Sequence, residues 1–290
     1  MSEMAGNVLL RAENVDFMIK NILRQELVML QLVAESSSAA QRETYFSEVT
    51  GDLSAAGTTT IRGTPRLSNF HNVDPTWNKA SAWNEKYAAE STISLEDELM
   101  DDIPVIANSI LRVTRAITRA IDTVIYNGLT QDQSPTTINT VAIAAGFEWD
   151  SATIAQRDPI QNILDSRRAI KEDNVSLTSS TIYLLLNPKN AANLLGNANI
   201  RNAGQFYSDG VTANGHLGKG LGMIWLESNA VAADGAAIVV GQANVWKWVE
   251  PVKSSVVVNE GVSKTIKCWA IGHFELISPQ SVCFISNTDA

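Results

Sequence analysis

The sequence predicts an α+β fold, and three features of the chain indicate it. A long amphipathic helix is predicted at residues 95–129. A segment rich in glycine, serine and threonine precedes it at residues 45–94, and short strand-like runs dominate from residue 223 onward. Because helices and strands come in separate stretches and do not alternate regularly, the pattern favours an α+β chain over a parallel α/β sheet.

The composition sets the size of the core and argues against one class of protein. With 290 residues, of which 45% are apolar, the chain can bury the core of one or two domains. Charged residues make up only 18%, which is typical of a surface covered by partners and also of a merely neutral soluble protein. The net charge of −9 argues against a dedicated nucleic-acid reader.

Hydropathy indicates neither a membrane span nor a secretion signal. No apolar run approaches the length needed to cross a bilayer, so no membrane partner is expected. The N-terminal residues lack the charged start, apolar core and small-residue cleavage site of a signal peptide. We therefore expect a protein that is first found in the cytoplasm.

Residues 7–35 are predicted to be helical. One face would carry apolar side chains at steps of three and four residues: Val15, Ile19, Leu23, Leu27 and Leu30. Such a helix either packs on its own subunit or forms an arm that docks on a neighbour, and the pattern does not decide between the two.

Residues 45–94 are predicted to form a projecting two-stranded arm, with its turn near residues 65–75. The segment is long for a connection without its own core, yet it has more aromatic residues than disordered segments carry. An isolated hairpin is marginal in water, so we expect the arm to lie on another subunit. The aromatic side chains expected to make that contact are Trp77, Trp83 and Tyr87.

The long helix has an apolar face and a basic face. Large aliphatic residues recur at helical spacing over residues 103–124, and Asn127-Gly128 is a stop signal. An unbroken helix over residues 103–127 would span roughly 40 Å at about 1.5 Å per residue. The other face presents three cations that would meet solvent, an acidic patch on a neighbour or DNA: Arg112, Arg115 and Arg119.

Local signals also predict the elements that follow the long helix. Asp158 and Pro159 fit the N-cap and first position of another helix, and residues 181–187 resemble a buried strand. Asn187 is the predicted cap of a short helix that ends at Gly196. The glycine-rich residues 197–222 are predicted to form a loop.

No catalytic, cofactor-binding or metal-binding constellation is found in the sequence. The glycines at residues 215–222 lack the spacing and the strand-to-helix context of a phosphate loop. Cys268 and Cys283 lie in strand-like runs and are expected to be buried free thiols. The three histidines have no other ligand at metal-binding spacing: His71, His216 and His273.

The order and spacing of five stretches resemble one known family. The stretches are KYAAESTISLEDELMDD, AIDTVIYNGL, DPIQNILDSRRAIKED, TIYLLLNPKNAANLL and GHFELISPQSVCFIS. Together they resemble the major capsid protein of tailed bacteriophages, whose fold is shared with encapsulin shells. The resemblance covers most of the chain from residue 45 to residue 286.

This resemblance implies a phage-capsid-type fold with a defined division of the chain. The expected parts are an N-terminal arm at residues 1–30, an extended hairpin loop at residues 51–92 and a central axial α+β domain at residues 156–265. The peripheral domain, with its β-sheet and the long spine helix, would take residues 31–50, 93–155 and 266–290.

The resemblance also implies the function and the partners. We expect hexamers and pentamers of this chain that form the icosahedral shell of a virion around non-specifically packaged DNA. A separate scaffolding protein and a portal are expected partners, and assembly is expected in the host cytoplasm. No enzymatic activity is expected. The alternatives are an encapsulin-like compartment and, from another class, a soluble enzyme with an unrecognised site.

Overall fold

The computed structural model describes residues 12–49, 66–67, 76–100, 105–131, 137–177, 180–198, 200 and 219–289. Within them the helices are α1 (Ala12–Glu26), α2 (Leu95–Met100), α3 (Val105–Thr130), α4 (Pro159–Glu172) and α5 (Pro188–Gly196). The strands are β1 (Ala34–Ser37), β2 (Arg42–Glu48), β3 (Trp77–Trp83), β4 (Glu85–Ser94), β5 (Asn139–Ala142), β6 (Ile182–Leu186), β7 (Lys219–Gly220), β8 (Met223–Glu227), β9 (Gly235–Val240), β10 (Val245–Asn259), β11 (Ser263–Glu275) and β12 (Val282–Ser286). The α+β prediction is confirmed.

The longest strands form a four-stranded sheet in the order β1-β10-β11-β4. β10 and β11 make an antiparallel hairpin, and β4 pairs antiparallel with β11 from Ser94 to Glu85. β1 runs parallel to β10, which brings the chain after α1 to the edge of this sheet. Residues 85–92, which the sequence placed in the extended loop, thus lie in a sheet.

A second sheet has six strands in the order β5-β12-β9-β6-β8-β7. Every residue of β9 is buried, as expected for a strand near the middle of a sheet with both faces covered. One face packs with α4, α5 and Trp149 in a compact apolar cluster. β12 belongs to this sheet, although the sequence grouped it with the peripheral part, and that division into domains stays a prediction.

The predicted long helix is present as α3, which has 26 residues. Its buried face carries Ile110, Val113, Ile117, Ile121 and Ile125, and the cluster that covers them includes residues of both sheets. Residues 101–104 lie outside the described residues, and the short α2 precedes them.

The predicted stop at Asn127-Gly128 is wrong, because α3 continues to Thr130. Gly128 is needed for close packing instead: a Cβ there would lie 2.2 Å from Cδ1 of Phe274. A glycine in a helical pattern can mark either the end of the helix or a close packing contact. The contact with Phe274 of β11 shows that Gly128 serves packing.

The predicted N-terminal helix at residues 7–35 is too long. α1 ends at Glu26, and a 3₁₀ turn at Met29–Leu32 and then β1 follow it. The Asp122 carboxylate of α3 accepts hydrogen bonds from the amides of Val28 at 3.4 Å and Met29 at 3.1 Å. A side chain distant in sequence thus fixes the turn that ends the helical stretch.

The predicted local caps are confirmed. Asp158 accepts a hydrogen bond from the amide of Gln161 at 3.2 Å, and Pro159 opens α4. Asn187 accepts one from the amide of Lys189 at 3.0 Å at the start of α5. The glycine-rich tract lies largely outside the described residues.

Both cysteines are buried and free, as predicted. Burial raises the pKa of the Cys268 thiol and that of the Cys283 thiol to about 12 each. Among the described helices, none is long and apolar enough to cross a membrane.

The buried Asp122 predicts a specific pH dependence of stability. Burial raises its pKa from 3.8 to about 6, although the amides of Met29 and Val28 oppose this. Because the folded state holds this proton more tightly, the free energy of unfolding should fall as pH rises from about 4 to about 6. Asp122→Asn should remove this step, which is on the order of 3 kcal/mol at most.

Denaturant unfolding of the two proteins at several pH values measures this step. Asp158→Asn, a change at an exposed cap, serves as the control and should keep the wild-type pH profile. An Asp122→Asn protein with the wild-type pH profile would contradict the assignment.

Candidate subunit-interface surfaces

β2 and β3 form a two-stranded ribbon that is separate from both sheets. Directly paired residues lie on the same face, since side chains alternate along a strand. The pairs of the outer face are Arg42 with Trp83, Thr44 with Ser81, Phe46 with Lys79 and Glu48 with Trp77. The inner face carries Glu43, Tyr45 and Ser47, which are partly buried.

Three aromatic side chains on the outer face are about half exposed, and we call them the aromatic face: Phe46, Trp77 and Trp83. Their exposed fractions are 55%, 49% and 56%. The Arg42 guanidinium lies 5.4 Å from the Trp83 ring, in the range of a cation–π contact. The sequence singled out the two tryptophans but missed Phe46, because its position on this face depends on the pairing register.

Tyr87 does not share this surface. It lies in β4, is 9% exposed and packs 6.1 Å from the Trp246 ring. Burial raises its pKa, and its hydroxyl bonds to Glu85 at 3.3 Å. The subunit itself covers Tyr87, so this residue is not carried into the proposal below.

The three arginines of α3 are exposed, and one of them is paired within the chain. Nε of Arg115 lies 2.8 Å from Oε1 of Glu26 at the end of α1. Arg112 and Arg119 make no ion pair with any residue in the part of the chain that the structure describes. They are therefore the cations available to a partner.

A network of charges, which we call the base cluster, joins the ribbon to the four-stranded sheet. Its members are Glu43, Lys247, His273 and Glu275. The Lys247 ammonium pairs with Glu43 and lies 3.1 Å from Oε1 of Glu275. Nε2 of His273 lies 3.1 Å from the same oxygen, and both His273 and Glu275 are almost fully buried.

The pairing shifts the proton affinities of two members of the base cluster. The hydrogen bond from Lys247 is the main reason that the pKa of Glu43 lies below its ordinary value. Burial alone would lower the pKa of Lys247, but the bonds to Glu43 and Glu275 raise it above its ordinary value. Both side chains are therefore ionised over the whole neutral range.

Two carboxylates and an imidazole within 4.8 Å of one another have the composition of a metal-ligand set. Here the Lys247 ammonium lies against both carboxylates and supplies the positive charge. We therefore assign the base cluster as an ion-pair network. Sequence reasoning missed it, because Glu43 lies 204 residues before Lys247 and no local pattern connects the two.

A second group of hydrogen bonds holds the other end of β2. The Glu48 amide donates to the carbonyl of Ile277 at 2.9 Å, and the Ser278 hydroxyl donates to Oε2 of Glu48 at 3.1 Å. Gln280 also donates to this carboxylate. The Glu48 end of the ribbon thus lies against the residues that connect β11 to β12.

A family model described as phage capsid protein matches residues 85–267, which is more than half of the chain. The chain belongs to the phage capsid protein family. The matched residues include α3 and most strands of both sheets, but β1, β12 and both strands of the ribbon lie outside them. No curated protein matches the sequence.

Solved structures show the same fold. The capsid structure of cyanophage P-SCSP1u has a TM-score of 0.66 and 12% identity over 91% of this chain and 89% of that one. The Mycobacterium phage Che8 structure has a TM-score of 0.62 and 13% identity over 91% and 92%. A virus-like particle from Pyrococcus furiosus has a TM-score of 0.60 and 9% identity over 94% and 98%.

The family assignment confirms the predicted function at the level of a capsid shell. The capsid protein is a structural protein of a bacteriophage virion and not an enzyme, as the sequence predicted. The interface residues and the partners are not decided by this assignment, and they are treated as proposals below.

The packing around the base cluster predicts the effect of one glycine substitution. Gly272 precedes His273 in β11, and a Cβ there would lie 2.6 Å from the Lys247 carbonyl oxygen. Because backbone cannot move aside as a side chain can, Gly272→Ala should destabilise the capsid protein by about 1–3 kcal/mol.

Chemical unfolding of the unassembled chain measures this loss. The matched control is Gly196→Ala at the end of α5, where nothing lies within 4 Å of the new Cβ, and its effect should be near zero or stabilising. Equal stabilities for the two variants would refute the close approach at Gly272.

Proposed function

We propose that the capsid protein assembles into hexamers and pentamers that close into an icosahedral shell around viral DNA. In this assembly the aromatic face of the ribbon packs on a neighbouring subunit. The observation that carries the proposal is the aromatic face itself, whose rings are about half exposed.

The chemistry of the aromatic face suits a protein partner. Aromatic side chains bury 150–250 Å² each, so three of them provide a large part of a contact. Tryptophan and arginine are the residues most often found to dominate binding energy, and Arg42 lies beside Trp83 on this surface. A two-stranded ribbon is also marginal in water, so a covered outer face would stabilise it.

The geometry of the contact favours rings. In this proposal the aromatic face of one subunit meets a different surface on the next. Such head-to-tail contacts close into rings when the rotation between subunits permits. Rings of five and six copies of one chain are the components of an icosahedral shell.

Replacement of the aromatic face should abolish assembly without unfolding the subunit. In a variant with Phe46→Ser, Trp77→Ser and Trp83→Ser, the apolar contact is lost, while the exposed side chains contribute little to the subunit's core. We expect at least a tenfold lower yield of shells by sedimentation and electron microscopy, because such contacts are worth about 2 kcal/mol or more each.

The control alters the same face without removing a ring. Thr44→Ala changes an exposed residue between the aromatic rings and should leave the shell yield unchanged. Circular dichroism checks that each subunit is folded. Shells of normal size and yield from the triple serine variant would refute the role of the aromatic face.

The basic face of α3 is proposed to bind an acidic partner, either a neighbouring subunit or the packaged DNA. Arg112→Ala with Arg119→Ala should weaken shell formation if a subunit is the partner. If DNA is the partner, shells should form but hold less DNA, and the difference from wild type should shrink as salt concentration rises, because salt weakens the contacts that the wild type makes.

Arg115→Ala is the matched control, because this arginine already pairs with Glu26 in its own subunit. It should affect shell yield and DNA content less than the double variant. If the double variant matched wild type in both measurements, neither partner would bind this face.

Partners beyond the shell subunit are part of the same proposal. We expect a separate scaffolding protein to guide assembly in the host cytoplasm and a portal to occupy one vertex. The alternative is a compartment that holds protein cargo. The similarity in fold to a virus-like particle is compatible with this alternative. Expression with and without the scaffolding protein, followed by analysis of particle contents, distinguishes DNA-filled shells from protein-filled ones.

A further inference from the structure

The hydrogen bonds of Asn84 determine which nitrogen of His273 carries a proton. One terminal atom of the Asn84 amide lies 2.5 Å from the Ala40 carbonyl oxygen, which can only accept. That atom must therefore be the amide nitrogen, which also donates to the Ser38 hydroxyl at 3.1 Å. The other atom, Oδ1, then faces Nδ1 of His273 at 2.7 Å, so Nδ1 is the donor and carries hydrogen.

The second nitrogen of His273 needs a proton of its own. Nε2 lies 3.1 Å from Oε1 of Glu275, and an ionised carboxylate has no hydrogen to donate. In a neutral imidazole protonated at Nδ1, the Nε2 lone pair would face the carboxylate oxygen and repel it. The Lys247 ammonium on the same oxygen favours an ionised Glu275, so the hydrogen belongs to His273.

The doubly protonated His273 makes the base cluster electrically neutral. Glu43 and Glu275 are negative, and Lys247 and His273 are positive. Loss of the second proton from His273 leaves a net charge of −1 on groups of which two are almost fully buried. An uncompensated charge at such a site is costly because water cannot solvate it.

The other charged and titratable groups near His273 do not supply a replacement cation. Tyr45 faces Glu275 from β2, and two more side chains line the same pocket as His273 from β4. Among the residues that the structure describes, the set near the ring is Glu43, Tyr45, Glu85, Tyr87, Lys247 and Glu275. Lys247, the cation of this set, already neutralises one carboxylate.

From this geometry we infer that the base cluster is a proton-dependent clamp on the ribbon. With His273 doubly protonated, the cluster holds the Arg42 end of β2 and the Asn84 junction against the four-stranded sheet. When that proton leaves, the cluster repels itself and this end of the ribbon is released. The clamp needs only one subunit; its use in assembly, to free the ribbon for a neighbour, rests on the function proposed above.

Hydrogen exchange of the unassembled full-length chain tests the clamp without any shell. Between about pH 5.5 and about pH 8, histidine is the side chain that changes charge by default, while Glu43 and Lys247 stay ionised. After correction for intrinsic rates, protection of amides at the Arg42 end of β2 should fall roughly tenfold over this range. Amides of β9 in the other sheet should show no such fall, and neither should the Glu48 amide, held by Ile277.

The experiment is done in the Asp122→Asn background, because burial gives Asp122 a pKa of about 6 in the same range. His273→Gln should remove the pH dependence of protection, and His216→Gln, which removes another histidine of the chain, should retain it. Light scattering confirms that the proteins stay unassembled throughout.

A second measurement does not use the His273→Gln variant, so it tests the clamp even if that variant does not fold. The ¹⁵N shifts of the His273 ring in the otherwise unmodified chain should show both nitrogens protonated at about pH 5.5, and loss of the Nε2 proton at higher pH should coincide with the fall in ribbon protection. An unprotonated Nε2 at the lower pH, or ribbon protection that does not follow its titration, would overturn the clamp. Failure of shell assembly alone would bear on the proposed function and not on the clamp.

Discussion

Burial of the apolar face of α3 is the constraint on which the rest of the subunit depends. This face touches a cluster that draws side chains from the four-stranded sheet and from one face of the six-stranded sheet. Separating either sheet from the helix would expose isoleucines that are now almost inaccessible to water, at a cost of about 1.5–3 kcal/mol for each side chain. Gly128 removes the Cβ that would otherwise hold Phe274 and β11 away.

The ribbon depends on interactions of a different kind. It is held by ion pairs at Glu43 and by hydrogen bonds at Glu48, and its outer face leaves three aromatic rings about half exposed. Polar attachments of this kind depend on the ionisation of their members, whereas apolar burial does not. The attachment of the ribbon should therefore respond to pH and salt more than the packing of the core does.

Local signals predicted the helices well, because caps and periodicity act over a few residues. Asp158 and Asn187 cap α4 and α5 as expected, and the face of α3 that is buried follows the spacing of its isoleucines. The order of the strands was not predictable, since β1 meets β10 across most of the chain. The base cluster and the turn fixed by Asp122 were not predictable either, because both join residues that are far apart in the sequence. Tyr87 was assigned to the wrong environment because an aromatic residue in a strand does not reveal which face it occupies.

Burial of the two thiols bears on the chemical stability of the particle. A capsid persists in air-saturated water, where exposed cysteines oxidise through their thiolate form. With Cys268 1% exposed and Cys283 fully buried, neither sulfur reaches a neighbouring subunit or an oxidant unless the core opens. Burial thus protects both thiols from oxidation for as long as the core stays closed.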